Sequence, residues 1–221
     1  MELPASYEAL RPVVEHEYFD HRAVPQLQDY VKEQVETKTY DFEANKALLK
    51  LYQFFPDLMQ EEIVAQMLAK ALMNVASSDF AALMYIVPPR LHQMEPVISL
   101  KRCSTALETA SYADFWQTTT EADMPTFLPK IPGFLEGVRV FIANSLAATF
   151  QDVSRDYLEQ CLDLGGADLE VFLAEHANTL SLTEDGQRAK FSPNRYNQIQ
   201  PKKFKEAVEF DKMLHVISKL N

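Results

Sequence analysis

No glycine occurs before residue 133 of this 221-residue chain; all five, Gly133, Gly137, Gly165, Gly166 and Gly186, come after that point. A stretch without glycine has few positions that take up left-handed backbone readily. Tight hairpins are therefore disfavoured, and helices separated by proline and capping residues are favoured. The pattern divides the chain into a helical part over residues 1–124, a proline-rich linker over 125–133, a second unit over 134–200 in which glycine turns permit other geometry, and a terminal helix over 201–221.

Leu27, Tyr30, Val31 and Val35 recur at helical spacing and predict a helix over Val24–Thr37, with Pro25 in its first turn. The next, within Tyr40–Leu58 (YDFEANKALLKLYQFFPDL), carries one polar strip: Glu43, Lys46, Lys50 and Gln53 follow each other at steps of three or four. Nearly everything else in it is apolar, so it has to be covered on almost every side, which antiparallel helices stacked in layers accomplish. Asn45 either hydrogen-bonds a neighbouring loop and fixes the stacking, or reaches solvent beside the polar strip. After Pro56 and Asp57, Ile63, Val64, Met67, Leu68, Ala71, Leu72 and Val75 form the broad face of a third helix. A fourth, FAALMYIV, is stopped by Pro88 and Pro89. A fifth over Glu95–Ser111 carries Ile98, Leu100, Cys103 and Leu107, and YADFWQTTTEA makes a short sixth. No sequence repeat is evident, so a HEAT-like layering is an inference from packing.

Beyond the linker, Phe134, Val138, Phe141, Ile142 and Ser145 line one side of a helix. Ser154 caps another bearing Tyr157, Leu158, Cys161 and Leu162, and Gly165-Gly166 turn the chain into a third with Leu169, Phe172, Leu173 and His176 on one face. Leu180 and Leu182, then Ala189 and Phe191, alternate with polar residues around Asp185-Gly186, a hairpin signal. Three helices followed by a hairpin describe a winged helix. Pro201 opens a last helix with an apolar stripe of Phe204, Val208, Phe210, Leu214 and Ile217. The expected fold is mostly α: HEAT-like helical layers, a winged-helix domain and a C-terminal helix.

The formal net charge of -11 argues against a chain whose main business is neutralising phosphates. The second helix of the helix-turn-helix carries Asp168, Glu170 and Glu175 and no cation, so duplex phosphates would repel it. A local basic strip, Arg188, Lys190, Arg195, Lys202, Lys203 and Lys205, occurs with no acid between residues 186 and 205. It is either a surface facing solvent or an acidic protein neighbour, or a contact with RNA. No glycine-rich phosphate loop, activated nucleophile or closely spaced ligand set is present, so no catalytic, cofactor or metal site is expected. Cys103 and Cys161, far apart and inside apolar patterns, read as buried thiols of a reducing compartment. Neither a secretory signal nor a membrane-length apolar run is expected from the sequence, which points to the cytoplasm or nucleus.

Tyr40–Pro56 (YDFEANKALLKLYQFFP) is followed in order by AQMLAKALMNV, DFAALMYIV, ADFWQ, GFLEGVRVFI, YLEQCLDL, DGQRAKFS and IQPKKFKEAVEFDKM. Together these segments resemble the subunit k family of eukaryotic translation initiation factor 3, from Phe19 to Met213; the first eighteen residues and Pro193–Gln198 find no match. Related PCI-type subunits occur in the proteasome lid and the COP9 signalosome. The resemblance implies a noncatalytic scaffold subunit that pairs chiefly with subunit l, near subunit e. It would support 43S preinitiation complex assembly and mRNA recruitment on the small ribosomal subunit, in the cytoplasm. It also implies that winged-helix sheets pack edge to edge and C-terminal helices gather in a bundle. The expected interface residues are then Leu180, Leu182, Ala189 and Phe191 of the hairpin, and Phe204, Val208, Phe210, Leu214 and Ile217 of the last helix, unless that helix packs back on its own domain. The alternatives are a lid or signalosome subunit and an RNA-binding winged-helix protein.

Overall fold

The computed structural model describes residues 7–16, 20–74, 77–199 and 210–219. Seven helices come first: α1 (Tyr7–His16), α2 (Ala23–Glu36), α3 (Phe42–Phe54), α4 (Glu61–Leu72), α5 (Asp79–Ile86), α6 (Val97–Glu108) and α7 (Tyr112–Thr119). Asp41 caps α3 in extended backbone, its carboxylate accepting from the Ala44 amide. The helix ends at Phe54 because Phe55 leaves helical backbone and Pro56 opens a separate 3-10 turn. Likewise α6 starts at Val97 rather than Glu95, with Pro96 in the cap position.

α3 lies against α2, α4 and α5. Ala44, Asn45, Ala47, Leu48, Leu49, Leu51 and Tyr52 are buried, while Glu43 and Gln53 of the polar strip stay exposed. Asn45 is 1% exposed and exchanges amide hydrogen bonds with Gln34 of α2: Gln34 Nε2 donates to Asn45 Oδ1 at 3.1 Å, and Asn45 Nδ2 donates to Gln34 Oε1 at 3.3 Å. The partner is thus a side chain of the neighbouring helix, neither loop nor solvent. α4 is more enclosed still, with nine buried residues from Ile63 to Leu72, and α1 adds Leu10 and Val14 to the same core.

The proline-rich stretch packs instead of hanging free: α8 (Met124–Phe127) and a 3-10 turn bury Met124, Phe127, Leu128 and Ile131. Gly133, left-handed at φ 82, then starts α9 (Phe134–Thr149). The remaining elements are β1 (Asp152–Ser154), α10 (Arg155–Leu162), α11 (Gly166–Glu175), β2 (Leu180–Leu182), β3 (Arg188–Phe191) and α12 (Phe210–Ile217). The antiparallel sheet runs β1-β3-β2, with Val153 opposite Ala189 and Leu180 opposite Phe191. This is a winged helix following helical layers, as the pattern indicated. The helix-turn-helix bend takes its left-handed residues at Asp163 and Gly166.

A polar joint links the winged helix to the layers. Trp116 Nε1 of α7 donates to the Cys161 carbonyl of α10 at 2.8 Å. Arg139 of α9 lies 5.1 Å from the Trp116 ring and donates from Nε to the Leu162 carbonyl at 3.0 Å.

Candidate protein-binding surfaces

Leu180, Ala189 and Phe191 are 2%, 0% and 5% exposed, and Leu182 is partly buried against the core. The alternation therefore serves the domain's own interior, and what the free edge of the hairpin offers a neighbour is backbone. The Thr183 amide donates to the Arg188 carbonyl and the Ser192 amide to the Thr179 carbonyl, both at 2.9 Å, so alternate residues of β2 face β3. The same alternation turns the amide and carbonyl of Leu182 and the carbonyl of Leu180 to the open side of the sheet. The Leu180 amide is already held by the His176 carbonyl at 3.1 Å.

On the last helix, Leu214 and Ile217 are 47% and 55% exposed, and Met213 and Val216 beside them 45% and 60%. Spacings of three and four put these four on neighbouring faces of α12. Phe210 opens the helix; its side chain, together with Phe204 and Val208, lies outside the described residues.

The basic strip is only partly available. The Arg188 guanidinium is paired with Asp152 across the sheet, whereas Lys190 and Arg195 are exposed; Lys202, Lys203 and Lys205 lie outside the described residues. The Asp185 carboxyl at the hairpin tip is held below its ordinary range by the Thr183 hydroxyl and then by the Gln187 amide. Asp168, Glu170 and Glu175 on α11 are all exposed, so this helix shows solvent an acidic face.

A feature absent from the sequence reading is the 193–199 loop. Asn194 Nδ2 donates to the Ala147 carbonyl at 2.8 Å, Asn197 Nδ2 to the Ser192 carbonyl at 3.0 Å, and Gln151 Nε2 to the Asn197 carbonyl at 2.9 Å. These bonds staple the loop to the end of α9 and leave Tyr196 76% and Ile199 93% exposed. Two asparagines three apart after a proline were the only signal.

Among the described residues no group of three or more His, Cys, Asp or Glu is placed to hold a metal. Both cysteines are buried free thiols, and burial pushes Cys103 up to about 12 and Cys161 in the same direction, which suppresses the nucleophilic thiolate. None of the described helices is long and apolar enough to cross a membrane.

The family model described as CSN8/PSMD8/EIF3K matches residues 58–203. Eukaryotic translation initiation factor 3 subunit K of Phaeosphaeria nodorum is 35% identical over 210 residues, covering 87% of this chain and 84% of its own. The chain belongs to the CSN8/PSMD8/EIF3K family. Its relatives of the same printed name include the Homo sapiens protein, 33% identical over 193 residues with 87% of this chain and 86% of that one covered. The Dictyostelium discoideum protein is 37% identical over 138 residues; the match covers 62% of this chain and 55% of that protein. The CSN8/PSMD8/EIF3K match runs from the end of the turn after α3 to beyond β3, so it takes in α4–α7 of the layers and the winged helix.

Proposed function

We propose that the chain is a noncatalytic scaffold subunit of the eukaryotic translation initiation factor 3 assembly. In this reading it works in the cytoplasm, with a nuclear pool, binds subunit l chiefly and subunit e nearby, and supports 43S preinitiation complex assembly and mRNA recruitment on the small ribosomal subunit. The observation that carries the reading is the relation to subunit K proteins over 87% of the chain.

Mechanistically, the layers act as a rigid spacer, and the β2 edge and α12 make the contacts. Covering the exposed halves of Met213, Leu214, Val216 and Ile217 contributes roughly half of the 1.5–3 kcal/mol of each full burial, about 3–6 kcal/mol together. Pairing along Leu180–Leu182 adds two or three hydrogen bonds of about 1 kcal/mol each. Association itself costs on the order of 4–15 kcal/mol. Each surface alone reaches at most the low end of that range, which favours both engaging the same neighbour or the same bundle.

The test is purification of the tagged chain from its own cells at moderate salt, with its stoichiometric companions identified by mass spectrometry. Subunits l and e with small-subunit ribosomal proteins support the proposal. Proteasome-lid or signalosome subunits would leave the family intact and replace the assembly; RNA retained without subunits would move the contact to Lys190 and Arg195. Leu214→Asp with Ile217→Asp should abolish co-purification while far-UV circular dichroism and the urea midpoint of the isolated chain stay unchanged. Unfolding of that variant would mean α12 packs on its own domain.

A further inference from the structure

In the 193–199 loop the polar bonding points inward. Asn194 Oδ1 accepts from the Tyr196 and Asn197 amides at 2.8 and 3.0 Å, and Asn197 Oδ1 accepts from the Asn194 amide at 2.9 Å. This clasp, with the bonds to Ala147, Gln151 and Ser192, leaves Asn197 only 6% exposed and gives the loop one shape. The residues it turns outward are of another kind: Arg195, Tyr196 and Ile199, the last, at 93%, the most exposed large hydrophobic side chain among the described residues. The Arg195 guanidinium has no carboxylate partner among those residues, in a chain with 32 acids against 21 bases. The anchors of the loop, the end of α9 and Gln151, lead into β1, and the order β1-β3-β2 puts the free edge of β2 on the opposite side of the sheet.

We propose that the 193–199 loop is a further protein-docking surface, separate from the β2 edge and α12, and that its occupant is a protein face with carboxylates around an apolar seat. Tyr196 and Ile199 fill the seat, and Arg195 meets a carboxylate. Three observations select that occupant. Tyrosine and arginine are the side chains that tend to dominate protein interfaces, and a loop already held in shape loses little freedom when it is covered. The loop lies in a stretch, residues 186 to 205, that contains no acid, so its charge complements a carboxylate and repels none of its own. RNA fits less well: the loop offers a single cation where phosphate binding gathers several, and an aliphatic Ile199 neither stacks on a base nor neutralises a phosphate. The inference stands on the loop itself and does not depend on which assembly the chain joins.

The test oxidises the full chain with hydroxyl radicals twice, alone and in the assembly purified from its own cells at moderate salt, and reads each tyrosine by peptide mass spectrometry. Oxidation of Tyr196 should fall severalfold in the assembly; equal oxidation would mean that nothing covers the loop, which overturns the proposal. The occupant is then identified with a photocrosslinker, Tyr196→p-benzoylphenylalanine, irradiated in the same cells. An adduct on a protein segment bearing carboxylates is expected, its yield falling about tenfold with Arg195→Glu and recovering with Arg195→Lys. An adduct on RNA, on a segment without carboxylates, or with a yield indifferent to Arg195→Glu overturns it. Neither arginine variant should change the circular dichroism of the isolated chain, since the exposed Arg195 side chain bonds nothing among the described residues.

Discussion

Replacing Asn45 by alanine should destabilise the chain by about 2–4 kcal/mol, although the residue sits on a helix whose other buried positions are nearly all apolar. Gln34 and Asn45 are each 1% exposed, and their side-chain amides are reciprocally bonded. Asn45→Ala leaves Gln34 Nε2 without an acceptor, a cost of about 1–3 kcal/mol. The small void adds about 1 kcal/mol. Gln34→Ala costs more. It orphans the Asn45 amide and also the Asp41 N–H, which donates to Gln34 Oε1 at 2.8 Å just where α3 is capped. In the double variant only that N–H remains unsatisfied, so its cost should fall short of the sum of the singles by about 1–3 kcal/mol. Urea unfolding followed by circular dichroism gives all four stabilities, provided the slope is the same in each. Singles that add to the double within about 0.5 kcal/mol would mean that the amides do not act as a pair and that α2 and α3 are registered by apolar packing alone.

Lys70→Met should raise stability by about 1–3 kcal/mol at pH 7, the upper figure being the whole fall of the buried amine from 10.5 to about 8 at 1.36 kcal/mol per unit and the lower allowing for screening by solvent. Because the unfolded chain binds the extra proton between those values, wild-type stability should climb with pH across the window from 8 to 10.5, and the advantage of the variant should vanish above it. A difference that does not change with pH would exclude the charge as its cause. Trp116→Phe removes the indole donor to the Cys161 carbonyl and strands that buried acceptor, costing about 1–3 kcal/mol. Hydrogen exchange should accelerate in α10 ahead of α2–α4, and uniform acceleration would mean the joint is not a separate unit.

The helical layers and the winged helix were legible because period-3.6 and period-2 patterns are long and unbroken there, and Pro88-Pro89 and Asp185-Gly186 mark real ends. Three things were not. β1 has only three residues, and Ser154, read as a cap, is also its last residue; its side chain does accept from the Tyr157 amide. The prolines of 125–133 signal a break in hydrogen bonding, which is real, but say nothing of burial, and Met124, Phe127, Leu128 and Ile131 are core. The direction of the hairpin side chains was the third. A two-residue period shows that one face is buried without saying in what, and here Leu180, Ala189 and Phe191 are buried in their own domain. The candidate surfaces were thus legible as elements and not as residues.

That outcome has a physical cause. Tyr40–Pro56, a segment on which the resemblance rests, holds a helix packed against α1, α2, α4 and α5, so its residues are constrained by packing on nearly every side. A surface half exposed in the isolated chain, as that of α12 is, carries only an amphipathic pattern, which any helix with any partner could share. A winged helix is likewise no argument for nucleic acid when its second helix turns Asp168, Glu170 and Glu175 to solvent. Family membership rests on a match that spans α4 to β3, whereas in the proposed function the choice of partner rests on a short β edge and four apolar side chains. Variants of Leu214 and Ile217 are consequently the ones expected to separate assembly from folding, and variants of Asn45 or Trp116 the ones expected to perturb both.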